Sequence, residues 1–86
     1  MKVQVQLFGA FRDYAPAALV ELELTEGACV ADLRAAMNAY GTAHWPAFRP
    51  GLLQRSAFAS ETAVLREDDP LPTGGTLVIL PPVAGG

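Results

Sequence analysis

The residues with the clearest capacity for chemistry are the last six, Pro81-Pro82-Val83-Ala84-Gly85-Gly86, which follow the apolar run Leu77-Val78-Ile79-Leu80. Gly85 and Gly86 carry no side chains, so the backbone can thread a narrow channel and present the Gly86 α-carboxylate to another protein's active site. Pro81 and Pro82 lack N–H groups and fix φ, which ends strand pairing and favours an extended, stiff exit. At the extended rise of the chain, six residues reach roughly 20 Å, enough to enter a partner's cleft. The simpler account of the same residues is a frayed terminus.

Other side chains offer less. Cys29 falls at the expected start of a helix, where the dipole can lower a thiol pKa, but it has no basic or histidine neighbour and reads as inert packing. His44 is the only histidine and has no Cys or Asp at ligand spacing, so no metal site is expected. Asp68-Asp69 precedes Pro70 and reads as a solvated turn rather than a carboxylate pair. Arg12 and Arg34 read as exposed arginines that help to orient partners.

Eighty-six residues support one modest core and no deep catalytic cleft, so the chain is expected to act with a partner. Its charged fraction, 17%, is low and its hydrophobic fraction, 51%, is high, which points to apolar surface left for a protein interface. Six scattered basic residues and a net charge of −3 argue against nucleic acid. No run is long enough to span a membrane, the start alternates instead of forming a signal-peptide core, and a single cysteine fits a reducing compartment. The expected location is the cytoplasm.

The elements that must position the tail follow from periodicity. Val3, Val5 and Leu7 alternate with polar residues, as do Val20, Leu22 and Leu24, so the two runs form an N-terminal hairpin around a long connection from Gly9 to Leu19. Val30, Leu33, Met37 and Tyr40 mark one stripe of a helix, with Gly41 placed as its C-terminal cap. The segment from His44 to Gly51 reads as a loop with aromatic anchors that leaves room for one helical turn starting at Pro46. Short strands are expected over Ser56–Ser60 and Thr62–Leu65, with turns at Arg66–Pro70 and Thr73-Gly74-Gly75. The final strand, Thr76–Leu80, places Leu77 and Ile79 on one face and Val78 and Leu80 on the other. The expected fold class is α+β: one helix across a mixed sheet of about five strands, with a single domain over 1–80 and a projecting tail over 81–86.

That order, the opening Val5-Gln6-Leu7-Phe8-Gly9-Ala10-Phe11-Arg12, the helix start Val30-Ala31-Asp32-Leu33-Arg34 and the ending Leu80-Pro81-Pro82-Val83-Ala84-Gly85-Gly86 resemble the ubiquitin-like sulfur carriers, most closely the branch of molybdopterin synthase small subunits. The resemblance implies the β-grasp fold, with first and last strands adjacent and parallel at the sheet centre. It also implies that an E1-like adenylyltransferase activates Gly86 with ATP. A sulfur donor such as a cysteine desulfurase or rhodanese then converts the glycyl adenylate to a thiocarboxylate. The tail from Pro81 to Gly86 would carry that sulfur into the large catalytic subunit of the synthase. The chain itself would be a protein substrate that binds no cofactor stably.

The expected partner interface is an apolar patch of Leu80, Val78 and Val64, with Phe8 and Phe58 divided between core and interface. Departures from the family pattern, Thr73-Gly74-Gly75-Thr76 before the last strand and Ser60 where Asn is frequent, leave the tail untouched. Other outcomes are a thiocarboxylate donor for cysteine, thiamine or tRNA thiolation, a modifier attached to lysines through Gly86, and an interaction module whose tail does no chemistry.

Overall fold

The alternating N-terminal run forms strand β1 (Lys2–Leu7), whose Val3, Val5 and Leu7 are buried while Lys2, Gln4 and Gln6 face solvent. Its antiparallel partner β2 (Leu19–Glu23) buries Val20 and Leu22 on the same face. These contacts come from a computed structural model that describes residues 1–72, 74 and 76–82. The turn expected at Thr73-Gly74-Gly75 therefore lies largely outside the described residues, and tail residues Val83, Ala84, Gly85 and Gly86 lie wholly outside them.

The connection between β1 and β2 contains a 3-10 helix, Gly9–Tyr14, anchored by the fully buried Phe11. It is bracketed by two left-handed residues, Gly9 at φ +59° and Ala18 at φ +53°. Ala18 is held there because its carbonyl accepts the Leu7 N–H at 2.8 Å while its own N–H donates to the Ala15 carbonyl at 3.0 Å. A left-handed L-residue costs roughly 1–2 kcal/mol, more than the backbone entropy that glycine adds to the unfolded chain. Ala18→Gly is accordingly expected to stabilise the protein by about 0.5–1 kcal/mol, measured by urea unfolding.

Helix α1 (Val30–His44) lays Val30, Leu33 and Met37, all fully buried, across the sheet. Gly41 does not end it. A Cβ there would lie 2.8 Å from the Phe48 ring, so glycine is required by ring packing, and the helix runs on until the Trp45 N–H closes it on the Gly41 carbonyl at 2.9 Å. The segment after it is more ordered than its prolines suggest. Tyr14 stacks on Trp45 with centroids 4.9 Å apart, Phe48 packs against both, and a second helix, α2 (Pro50–Gln54), starts at Pro50 and not Pro46, burying Leu52 and Leu53. Proline at the first helical position costs nothing, because that N–H would be unpaired in any case.

Strands β3 (Ala57–Ala59) and β4 (Val64–Leu65) are shorter than expected, and Ser60 closes the turn between them by accepting the Thr62 and Ala63 N–H groups at 3.3 Å. The last strand, β5 (Thr76–Leu80), completes a sheet of order β2-β1-β5-β3-β4. It runs parallel to β1 and antiparallel to β3. First and last strands are thus adjacent and parallel in the middle, the β-grasp arrangement. Among the described residues, no helix is long and apolar enough to cross a membrane.

The turn at Arg66–Asp69 is more than solvated loop. Its Glu67 and Asp69 carbonyls accept the Ala31 and Val30 N–H groups at 2.9 and 3.1 Å, satisfying donors that the first turn of α1 leaves open. Arg34 is likewise not an exposed, partner-facing arginine. It is buried, donates to Glu67 Oε1 and Oε2 and to the Leu53 and Ser56 carbonyls at 2.6 and 2.8 Å, and lies over the Phe58 ring.

Cys29 is the N-cap of α1. Its backbone N–H donates to Asp32 Oδ2 at 2.9 Å and its Sγ lies 3.4 Å from the same oxygen. The backbone bond, then the thiol bond, holds the Asp32 carboxyl below its ordinary value of 3.8. A lowered folded-state pKa adds stability that is present above the unfolded value and lost as pH falls through the folded one. Thermal midpoints of the wild type and Asp32→Asn, scanned across pH, should therefore differ at neutrality and converge below 3.8.

Candidate functional site: the outer sheet face and the base of the tail

The helix covers one face of the sheet; the other is graded from polar to apolar along β5. At the start of β5, Thr76 pairs with Gln4 and Gln4 with Glu21, and their side chains hydrogen-bond across the strands. One pleat further on, Val64, Ala59, Val78, Gln6 and Leu19 form a single row over all five strands. The last row holds Ala57 and Leu80, with Phe8 just beyond the end of β1. The apolar end is therefore the end from which the chain leaves the sheet.

Of the residues expected at a partner interface, four are brought to this face. Val64 is 64% exposed, Phe8 43% and Leu80 38%, and Val78 is half-buried between Ala59 and Gln6. Phe58 is not among them. It is fully buried, paired with Ile79 on the core face beneath Arg34, so it belongs to the core and cannot contact a partner. Leu19, 38% exposed, is an apolar member of the face that the sequence reading passed over. Its parity with Glu21 and Glu23, both outward, was the available signal.

The tail leaves this face at Pro81 and Pro82, half-buried and exposed respectively. Pro81 packs against Gly9, where a Cβ would lie 2.7 Å from Pro81 Cγ. A cleft of about 350 Å³ opens at the opposite, polar end of β5, lined by Ser60, Glu61, Thr62, Pro72 and Thr76 among others. Ser60 already bonds within its own turn there, and the cleft lies away from the point where Pro81 leaves the sheet. The side chains around the exit are apolar. They can bind a complementary surface and position a chain end, and among the described residues they offer no acid, base or nucleophile.

Curated proteins include no match to the chain. Among solved structures, SAMP1 from Haloferax volcanii is similar with a TM-score of 0.73 and 20% identity, covering 100% of both chains. A second structure, of H. volcanii small archaeal modifier protein 1, gives 0.72 and 19%, covering 95% of this chain and 98% of that one. A Pyrococcus furiosus protein provisionally described as molybdopterin converting factor, subunit 1, gives 0.67 and 26%, with the same coverage. The ThiS family model matches residues 5–86, nearly the whole chain. With the β-grasp topology and the apolar exit face already in place, the chain belongs to the ThiS family of ubiquitin-like sulfur carriers.

Proposed function

We propose that this carrier is the sulfur-donating subunit of a molybdopterin synthase. Carriers of this kind are not catalytic by themselves and work with partner enzymes. The observation that carries the reading is the coincidence, at one end of the outer face, of exposed Phe8 and Leu80 with the point where Pro81 leaves the sheet, exposed Val64 lying one row back on the edge strand. A partner that buries this patch receives the tail at the same time. The similarity to the P. furiosus protein supports the choice of pathway.

The chemistry falls on Gly86. Its carboxylate, with an ordinary pKa of about 3.5, is ionised at pH 7 and resists attack until it gains a leaving group. In an adenylating partner, a carboxylate oxygen displaces pyrophosphate from ATP. The terminal sulfur of a donor protein's persulfide then displaces AMP to form an acyl disulfide, and a second thiol cleaves that S–S bond, becoming disulfide-linked to the donor cysteine and leaving a C-terminal thiocarboxylate. Pro81 through Gly85 deliver that sulfur to a pterin precursor held by the large synthase subunit, where docking makes the transfer effectively unimolecular.

The pathway is tested by incubating the thiocarboxylated chain with a large synthase subunit and pterin precursor, and in parallel with a cysteine synthase homologue. Consumption of thiocarboxylate only with the former is expected. Consumption only with the latter assigns the carrier to cysteine biosynthesis.

A further inference from the structure

We infer that Gly9 is a positioning residue for sulfur delivery: its bare, left-handed backbone is the seat on which Pro81 leaves the sheet, and it sets the direction in which the tail enters a partner. The inference rests on the carrier reading above.

The parallel register carries the argument. Gln4 pairs with Thr76, Val5 with Leu77, Gln6 with Val78 and Leu7 with Ile79. Continued two residues past the end of β1, the same offset sets Gly9 beside Pro81. There the two chains diverge, Gly9 turning into the 3-10 helix and Pro81 leaving the sheet. A Cβ on Gly9 would lie 2.7 Å from Pro81 Cγ, 3.7 Å from Cδ and 3.8 Å from Cβ, the first far closer than such carbons approach in folded proteins. Proline is a closed ring with φ fixed, so beyond a change of ring pucker it cannot turn away as a flexible side chain would. The remaining relief has to come from the backbone at the base of the tail.

The other wall of the seat cannot yield. Leu7 and Phe11, on either side of Gly9, are almost completely buried, and the Phe11 N–H closes the 3-10 turn on the Phe8 carbonyl at 3.2 Å. A filled seat therefore moves Pro81 rather than Gly9. Because docking occurs through side chains of the outer face and chemistry at the chain end, a redirected exit leaves binding intact and misplaces the reacting carboxylate.

Gly9 also has φ +59°, so a purely conformational need for glycine must be separated from the seat. Asparagine does this, since it tolerates the left-handed region yet carries a Cβ. Pro81→Ala removes Cγ and reopens the space. In adenylation and thiocarboxylation by the cognate enzymes with ATP and sulfide, Gly9→Asn is expected to lower kcat by about ten- to a hundredfold with little change in KM for the carrier. In the Pro81→Ala background, the same substitution should cost nothing further.

A second readout needs no partner. In a Cys29→Ser background, spin labels at Glu21→Cys and Pro82→Cys report the exit direction as a distance. Gly9→Asn should shift it by about 1–2 Å, and adding Pro81→Ala to a matching label pair should remove the shift. An unchanged distance, or an equal kcat loss with and without Pro81, overturns the inference. If the wild type accepts no sulfur while the distance shifts as stated, the carrier reading fails and the seat stands as the determinant of the exit alone.

Discussion

Arg34→Met is expected to destabilise the protein by about 3–5 kcal/mol, a large share of the 5–15 kcal/mol that holds a small domain together. The side chain joins three segments: α1, on which it sits; the end of α2, through the Leu53 and Ser56 carbonyls; and the Arg66–Asp69 turn, through Glu67. Methionine keeps the volume over Phe58 and removes every donor. Two carbonyls then lose charge-assisted bonds in a dry environment, at roughly 1–3 kcal/mol each. Glu67 contributes less, because its side chain is 56% exposed and water can replace the guanidinium. Glu67→Gln should therefore cost only about 1 kcal/mol, and this asymmetry separates carbonyl anchoring from an ion pair as the source of stability. Lysine cannot substitute, since one ammonium cannot supply the forked geometry. Urea unfolding of the three variants provides the measurement; equal losses for Met and Gln would contradict the account.

Leu80→Glu carries the second large effect, on association. Leu80 ends β5 at the base of the tail and is 38% exposed, so a carboxylate there is solvated in the free chain and the fold should change by less than about 0.5 kcal/mol. Against an apolar partner surface that charge is desolvated without a counter-ion. The expected cost is about 2–3 kcal/mol, a rise in Kd for the adenylating enzyme of roughly 30- to 150-fold. Lys2→Ala, at the polar end of the same face, should leave Kd close to that of the wild type. Calorimetric titration of the enzyme with each variant checks both expectations, and equal losses would place the interface elsewhere.

The features that were legible in the sequence are those with a period or a terminus. Strict alternation marked both faces of β1 and β2, and an i, i+3, i+7 stripe marked α1, because long regular elements repeat the same burial decision several times. The exit at Leu80-Pro81 was legible because proline cannot extend a ladder. Phe58 was not, because it sits in a three-residue strand between Ala57 and Ala59, where no polar neighbour discloses which parity is inward. Arg34 read as exposed because its carbonyl partners lie 19 and 22 residues away and leave no local trace. Gly41 resembles a helix terminator and is instead a space for the Phe48 ring, a distinction that only packing draws. The Gly9 and Pro81 contact joins the two ends of the chain and could not be read before the parallel register was known.

The proposed function gives these features one act, placement of the Gly86 carboxylate in a partner's active site. The most direct test is the intact mass of the full-length chain after incubation with its adenylating enzyme, ATP and sulfide, run beside a chain lacking Gly86. Replacement of one oxygen by sulfur in the full-length chain alone, with identical thermal unfolding of the two chains, is the expected result. An unchanged mass in the presence of a demonstrably active enzyme, or equal sulfur incorporation in the shortened chain, would contradict it.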